Sequence, residues 1–289
     1  MQDNKFYELL AGINKEWPYK FDKLLMKLRL LGEQDWSEIN KNFIVSTGRT
    51  GTKFFAHFLD QFSSVHALHE PAPVFLRLAI NYATGKVTKE YAEKKIDLYR
   101  RALCKELKRE KIDKYIESNN RFFSLLEPLN EVFDKFKVVH IVRDGREYVR
   151  SGMSRNWYTE SDGSRLRGIY FPKDPYYDQW ENMNRFEKIC WRWQKKDGFI
   201  YNQVQNMDNA ITVRFKDIFK DDEFKGVYRI LDYFEINDEN KEEIIDQMMN
   251  RKVNSTKEYA IPKWTDWSED RLEAFDEIAG DHMRKYYDY

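Results

Sequence analysis

The stretch IVSTGRTGTKFF at residues 44–55 constrains the fold most, because it joins a buried strand to a helix through a glycine-rich turn. A short apolar run at residues 43–46 predicts the strand. The apolar residues that follow fall on one helical face: Phe54, Phe55, Phe58, Leu59 and Phe62. The first backbone N–H groups of a helix are unpaired and favour anions. The stretch therefore predicts a phosphate cradle.

The turn itself carries groups that suit a phosphate. Glycines allow close backbone approach, threonines donate hydroxyls, and basic side chains add charge: Gly48, Gly51, Thr50, Thr52, Arg49 and Lys53. The usual phosphate loop of nucleotide triphosphatases needs GxxxxGK followed by Ser or Thr, whereas here Gly51 precedes Thr52 and Lys53 precedes Phe54. No residue stands where magnesium would be held. A strand–helix turn that merely uses glycine is the alternative.

Strands and helices alternate along the chain, which predicts an α/β fold. We expect strands at residues 43–46, 115–116, 138–142 and 211–215, and helices at 88–110, 183–206, 223–235, 239–250 and from 269. Such alternation predicts one domain, residues 1–289, with a mostly parallel sheet and helices on both faces. Residues 1–40 are expected to form a helical extension, and residues 156–182 an irregular insertion. The turns at 47–52 and 143–145 both follow strands, so they can face one ligand.

Composition restricts the class of protein. Lys plus Arg and Asp plus Glu each number 49, whereas a general nucleic-acid binder carries a basic excess, so any basic site is local. Cys104 and Cys190 are far apart and predict neither a disulfide nor a metal site. The N-terminus lacks an apolar signal region, and no run approaches about 18 apolar residues. We expect a cytoplasmic protein without a transmembrane segment.

A second motif, KVVHIVRDGREYVRSGMSR at residues 137–155, strengthens the ligand prediction. Arg143 ends a predicted strand, and Ser151 lies about two helical turns into the next helix. Together they offer a phosphate a charged fork and a hydroxyl. RDGR alone is weak, because turns rich in Asp, Gly and Arg are ordinary.

With both motifs, the chain resembles the sulfotransferases that use 3′-phosphoadenosine 5′-phosphosulfate (PAPS), most closely the bacterial and carbohydrate-type branch. RFKDIFKDD at 214–222 and the closing FDEIAGDHMRKYY fit the same family, so the resemblance spans about residues 41–289. It implies a phosphate-loop-like sulfotransferase fold and no metal. It also implies PAPS as donor, 3′,5′-adenosine bisphosphate (PAP) as product, and a hydroxyl acceptor on a carbohydrate, lipid or other small molecule.

The resemblance also implies roles for individual residues. Arg49 matches the basic residue at the transferring sulfuryl group, and the loop around the 5′-phosphate matches Thr50, Gly51, Thr52 and Lys53. Arg143 and Ser151 match the 3′-phosphate site. Phe54 falls where the cytosolic branch places a ring against adenine, although a core Phe is equally expected. Arg251 and Lys252 match a late basic loop near the 3′-phosphate, or else form a solvated pair.

The general base is expected in HALHEPAP at residues 66–73, because YIESNNRFF at 115–123 lacks the histidine of the cytosolic branch. Glu70 resembles the base of carbohydrate sulfotransferases, and His69 is the second candidate. A proline-rich turn with a solvated Glu70 is the alternative. Glu117 and Asn119 are expected on the acceptor side, and His140 is expected to pack in the core.

Acceptor recognition is expected in the insertion at residues 156–182, which is rich in aromatic residues: Trp157, Tyr158, Tyr170, Tyr176, Tyr177 and Trp180. These rings could equally cover the core or join a homodimer. Two other functions stay open. One is a phosphate-loop kinase or nucleotidase that uses ATP and magnesium, and the other is a non-catalytic binding protein of the same fold.

Overall fold

The computed structural model describes residues 22–28, 30–155, 157–159, 171, 173–249 and 258–287. Its strands are β1 Asn40–Val45, β2 His66–His69, β3 Lys114–Ser118, β4 Phe136–Val142 and β5 Ala210–Arg214. They form one five-stranded sheet in the order β2-β3-β1-β4-β5, and every neighbouring pair is parallel. The predicted α/β fold is confirmed, and the sheet is wholly rather than mostly parallel.

Helices connect the strands. They are α1 at 22–27, α2 Thr52–Leu59, α3 Leu76–Ala83, α4 Lys89–Arg109, α5 Leu126–Val132, α6 Gly145–Met153, α7 Arg185–Val204, α8 Phe215–Phe219, α9 Lys225–Tyr233, α10 Lys241–Met249, α11 Glu269–Phe275 and α12 Asp281–Met283. Short 3₁₀ turns occupy Asn120–Phe122 and Trp264–Asp266, and a π turn occupies Asp276–Gly280. Most of the predicted N-terminal extension lies outside the described residues.

Both faces of the sheet are covered by helices, because successive strand residues point to opposite sides. Phe43 and Val45 pack with buried residues of α3, α4 and α5 in one core cluster. Ile44, between them, packs with α2, α9 and α10 in another. The apolar run at the end of β1, residues 43–45, thus reflects burial on both sides of the sheet.

Strand β2 was not anticipated from the sequence. It is an edge strand whose residues pair with β3 from His66 opposite Tyr115 to His69 opposite Ser118. Its four residues are too few for a clear alternation, and histidines occupy both ends. This strand positions two candidate site residues, because His69 ends β2 and Glu70 follows it at the carboxyl edge of the sheet.

His140 is buried in β4 as expected, but it also belongs to a polar network. Its Nε2 lies 3.0 Å from Asp197 Oδ1 on α7, and His282 Nε2 lies 2.8 Å from Asp197 Oδ2. Burial alone would raise the pKa of Asp197, but the two histidines outweigh burial and hold this pKa well below its usual range. The network ties the sheet to α7 and to α12.

Candidate active site

A cavity of about 1240 Å³ opens at the carboxyl ends of the strands. The loop after β1, the start of α6, the cavity-facing side of α7 and the turn after β3 all contribute to its walls. Among the described lining residues, eleven are Lys or Arg and only Glu147 is acidic. A chain with no net charge therefore concentrates positive charge at this site.

The loop after β1 is shaped to bind an anion through its backbone. Gly48, Arg49 and Gly51 all have positive φ angles, of 91°, 61° and 79°. Gly51 precedes α2, whose N-terminus has no side-chain cap, so its first N–H groups are open to a ligand. A positive φ is unfavourable in a non-glycine residue such as Arg49, and residues strained in this way concentrate at functional sites.

The loop residues named from the sequence separate into two groups. Thr52 and Lys53 line the cavity with Gly51. Thr50 instead is fully buried, and its hydroxyl donates to Ser46 Oγ at 2.7 Å. Within the described residues, the Thr50 side chain therefore stabilises the loop from the protein interior, through its hydrogen bond to Ser46.

The two sequence motifs meet in this cavity. Arg49 Nε donates to Ser151 Oγ on α6 at 3.0 Å, although 102 residues separate them in the chain. Arg143 Nη1 donates to the Arg49 carbonyl oxygen at 2.6 Å. All three residues line the same space. The turns after β1 and β4 can therefore contact one ligand.

Arg143 is held in place but keeps binding capacity. Its guanidinium lies 4.8 Å from the centre of the Phe215 ring, and Nη2 lies 3.7 Å from Glu147 Oε2. Its Nε is buried and has no hydrogen-bond partner among the described residues. A buried donor without a partner is destabilising, so an anionic ligand that accepted a hydrogen bond from this Nε would be favourable.

Phe54 serves the core and the cavity together. Its ring lies parallel to that of Phe58 with centroids 5.9 Å apart, and edge-on to Phe219 at 5.4 Å. It also lines the cavity. Both expectations for this residue are compatible with its position. Arg251 and Lys252 lie outside the described residues.

His69 and Glu70 are adjacent in sequence but differ in environment. His69 lines the cavity, and its Nδ1 lies 3.0 Å from the Ser118 carbonyl oxygen, which assigns the Nδ1 proton to that bond and leaves Nε2 as the acceptor of the neutral ring. Glu70, with a φ of 44°, accepts a hydrogen bond from Asn120 and pairs with Arg121 Nε at 2.8 Å.

The expected acceptor role of Glu117 and Asn119 was wrong. Both side chains are fully buried and neither lines the cavity. Glu117 accepts hydrogen bonds from Arg100, at 2.7 Å and 2.9 Å, and from Asn119. This carboxylate needs its internal partners because an unpaired buried charge is strongly destabilising. The next two residues, Asn120 and Arg121, line the cavity instead.

The aromatic residues of the predicted insertion have different positions. Trp157 and Tyr158 line the cavity. Trp180 is 3% exposed and packs edge-on against Trp191 at 4.9 Å in a core cluster, while Tyr176 packs against that cluster and Tyr177 is exposed. Tyr170 lies outside the described residues.

Sequence reasoning missed the basic residues of α7. Arg192, Lys195 and Lys196 line the cavity together with Phe199. Their spacing places them on one helical face, which is the signal that could have identified them. Lys196 Nζ donates to the carbonyl oxygens of Thr47 at 3.0 Å and of Asn120 at 3.2 Å, so it joins the loop after β1 to the turn after β3.

A sequence profile of the sulfotransferase family matches residues 42–240. The chain belongs to this family. The match includes both sequence motifs, at residues 44–55 and 137–155, and ends before the C-terminal helices α10–α12. No curated protein matches the chain in sequence.

Two solved sulfotransferases are similar to the chain in structure. Sulfotransferase STF9 from Mycobacterium avium has a TM-score of 0.50 and 12% identity, over 86% of this chain and 77% of that one. The mouse sulfotransferase SULT7A1, solved in complex with PAP, has a TM-score of 0.48 and 13% identity, over 86% of this chain and 89% of that one. No helix within the described residues of this sulfotransferase is long and apolar enough to cross a membrane.

Proposed function

We propose that this sulfotransferase transfers a sulfuryl group from PAPS to a hydroxyl group of an acceptor. The observation that carries the proposal is the junction of the two motifs, where Arg49 Nε donates to Ser151 Oγ and Arg143 donates to the Arg49 carbonyl. A ligand with phosphates at both ends of one nucleoside would contact both motifs. Family membership supports the same reaction type.

The residues present fit such a donor. The N-terminus of α2 and the positive-φ loop suit the 5′-phosphosulfate, with Thr52 and Lys53 beside them. Arg143 and Ser151 suit the 3′-phosphate, because a guanidinium matches phosphate oxygens and the Arg143 Nε is buried without a partner among the described residues. Phe54 offers a ring for the base.

Arg49 is the proposed charge at the reacting centre. Sulfuryl transfer, like phosphoryl transfer, gains mainly from positioning and from cations beside the leaving oxygen. Burial, with nearby Arg155 and Arg143, lowers the pKa of Arg49. A guanidinium nevertheless stays protonated at neutral pH. Arg49 therefore acts by its charge rather than by giving up a proton.

His69 is the proposed general base, and Glu70 is the alternative. His69 lines the cavity, and the bond from Nδ1 to the Ser118 carbonyl leaves Nε2 free to take the acceptor proton. Both oxygens of Glu70 are engaged by Asn120 and Arg121. We assign Glu70 the task of holding these two side chains at the cavity wall.

Calorimetry with PAP, AMP and ATP tests the donor. We expect PAP to bind most tightly, and Arg143→Ala to weaken PAP binding by about 1.5–3 kcal/mol, because a charge-assisted hydrogen bond is lost. The same variant should weaken AMP binding much less, through the lost hydrogen bond to the Arg49 carbonyl alone.

Arg229→Ala is the control, because Arg229 is an exposed arginine of α9 that does not line the cavity. It should leave all three affinities unchanged. Equal affinity of the native protein for PAP and AMP would refute the proposed donor, and preference for ATP would favour a kinase or nucleotidase.

A further inference from the structure

The cavity holds more positive charge than the proposed donor requires. PAPS carries about four negative charges, counting about two for its 3′-phosphate. Seven of the cations that line the cavity lie outside α7 and the turn after β3: Arg49, Lys53, Arg143, Arg150, Arg155, Lys220 and Lys263. The remaining four lie on α7 or in the turn after β3: Arg121, Arg192, Lys195 and Lys196.

The cavity-facing side of α7, formed by Arg192, Lys195, Lys196 and Phe199, is here called the α7 wall. Lys195 pairs with Asp174 at 2.7 Å, and Arg121 of the turn after β3 pairs with Glu70. Lys196 forms no ion pair within the described part of the chain and donates only to backbone and amide oxygens. Glu70 and Asp197 act on its charge only from beyond ion-pair distance.

The position of Lys196 places this charge near the reaction. Its ammonium contacts the Thr47 carbonyl, where the phosphate-binding loop begins. Burial, together with the adjacent charge of Arg192, lowers the pKa of Lys196 to about 7. A negative group bound here would favour the charged ammonium and raise this pKa again.

The surroundings of the α7 wall are apolar and aromatic. Phe123, Phe171, Trp191 and Phe199 line the same part of the cavity. Lys195 lies 4.8 Å from the centre of the Phe171 ring, and the Arg192 guanidinium lies 4.4 Å from the Trp157 ring. Flat surfaces next to cations suit a ligand with a ring or an apolar body and a charged end.

From this arrangement, and resting on the proposed function, we infer that the acceptor is itself an anion. It is a hydroxyl compound that carries a carboxylate, sulfate or phosphate, which Lys196 and its neighbours on α7 bind, and an apolar or aromatic body, which the adjacent rings bind. Neutral phenols and neutral sugars would bring no counter-charge to Lys196 and would bind more weakly.

Two fluorescent probes that differ by one sulfonate test this inference: 1-anilinonaphthalene-8-sulfonate and neutral N-phenyl-1-naphthylamine. With the protein saturated with PAP, we expect the sulfonate to bind at least tenfold more tightly. Lys196→Met should remove most of this preference. Lys188→Met is the matched control on the same helix, because Lys188 lies against Trp180 and does not line the cavity.

Equal affinity for the two probes, or binding of neither, would overturn the inference. So would a Lys196→Met variant that loses as much affinity for PAP as for the sulfonate, because Lys196 would then belong to the nucleotide site. If PAP itself does not bind, the proposed donor fails, and the probe comparison on the nucleotide-free protein still decides whether the α7 wall selects anions.

Discussion

At the scale of single residues, side chains from distant parts of the chain meet in one cavity. Arg49, Arg143 and Ser151 could be named from the sequence because each stands at a fixed distance from a strand end, and the structure brings them together. The spacing of Lys196 with the other two cations of the α7 wall marks a shared helical face, but it does not by itself assign that face to the site, because a lysine on a long, charged helix is usually solvated. The role of Lys196 depends on α7 crossing the loop after β1, which no local pattern encodes.

Replacing the neighbouring residues His69 and Glu70 separately distinguishes their roles. We expect His69→Gln to lower kcat by about 10²-fold or more, since a positioned base contributes about that much, with PAP affinity unchanged. Glu70→Gln should lower kcat less and act mainly on KM, because it releases Arg121. Turnover of labelled donor, with an acceptor found by screening, measures both effects.

His57→Gln is the control, because His57 is exposed on α2 and lies outside the cavity lining. An inactive Glu70→Gln variant beside an active His69→Gln variant would reverse the assignment.

At the scale of elements, long or strongly apolar segments were predictable and short edge segments were not. The strands around residues 43–46, 138–142 and 211–215 appear within one to three residues of their expected limits, because burial on both faces makes them apolar. β2 lacks that signal. The step from β1 to α2 was also predictable, since its glycines mark a turn.

Gly51→Ala tests that step. A Cβ at Gly51 would lie 2.9 Å from the Phe219 ring, and the φ angle of 79° disfavours any side chain. We expect the substitution to cost about 1–2 kcal/mol from backbone strain and about 1–3 kcal/mol from crowding. PAP affinity should fall at least tenfold. Urea denaturation and calorimetry measure the two effects.

Gly85→Ala separates strain from crowding. Gly85 has a similar φ angle of 70°, but a Cβ there meets nothing within 4 Å. This variant should lose only the strain component and should bind PAP normally. Equal effects of the two substitutions would contradict the explanation.

At the scale of the whole molecule, one buried carboxylate connects three parts of the fold. Asp197 on α7 receives His140 from the sheet and His282 from α12. Sequence reasoning placed His140 in the core but could not pair residues 57 and 85 positions apart. A cytoplasmic location and a homodimer stay predictions from the sequence.

Asp197→Ala should destabilise the protein by about 3–5 kcal/mol at pH 7, because it leaves two buried imidazoles without their partner. The pKa of Asp197 is lowered on folding, so its contribution is present above about pH 4 and is lost as the pH falls further. Urea denaturation as a function of pH measures both. Asp208→Ala, at an exposed position, should have little effect.

The hydrogen bond from Arg143 to the Arg49 carbonyl links the two ends of the proposed nucleotide site. A ligand that positions the Arg143 guanidinium would also fix the backbone of Arg49, the residue proposed to place its charge beside the sulfuryl group. A remote phosphate would thereby help to align the reacting centre, and selectivity for the doubly phosphorylated donor would be expressed in turnover as well as in affinity.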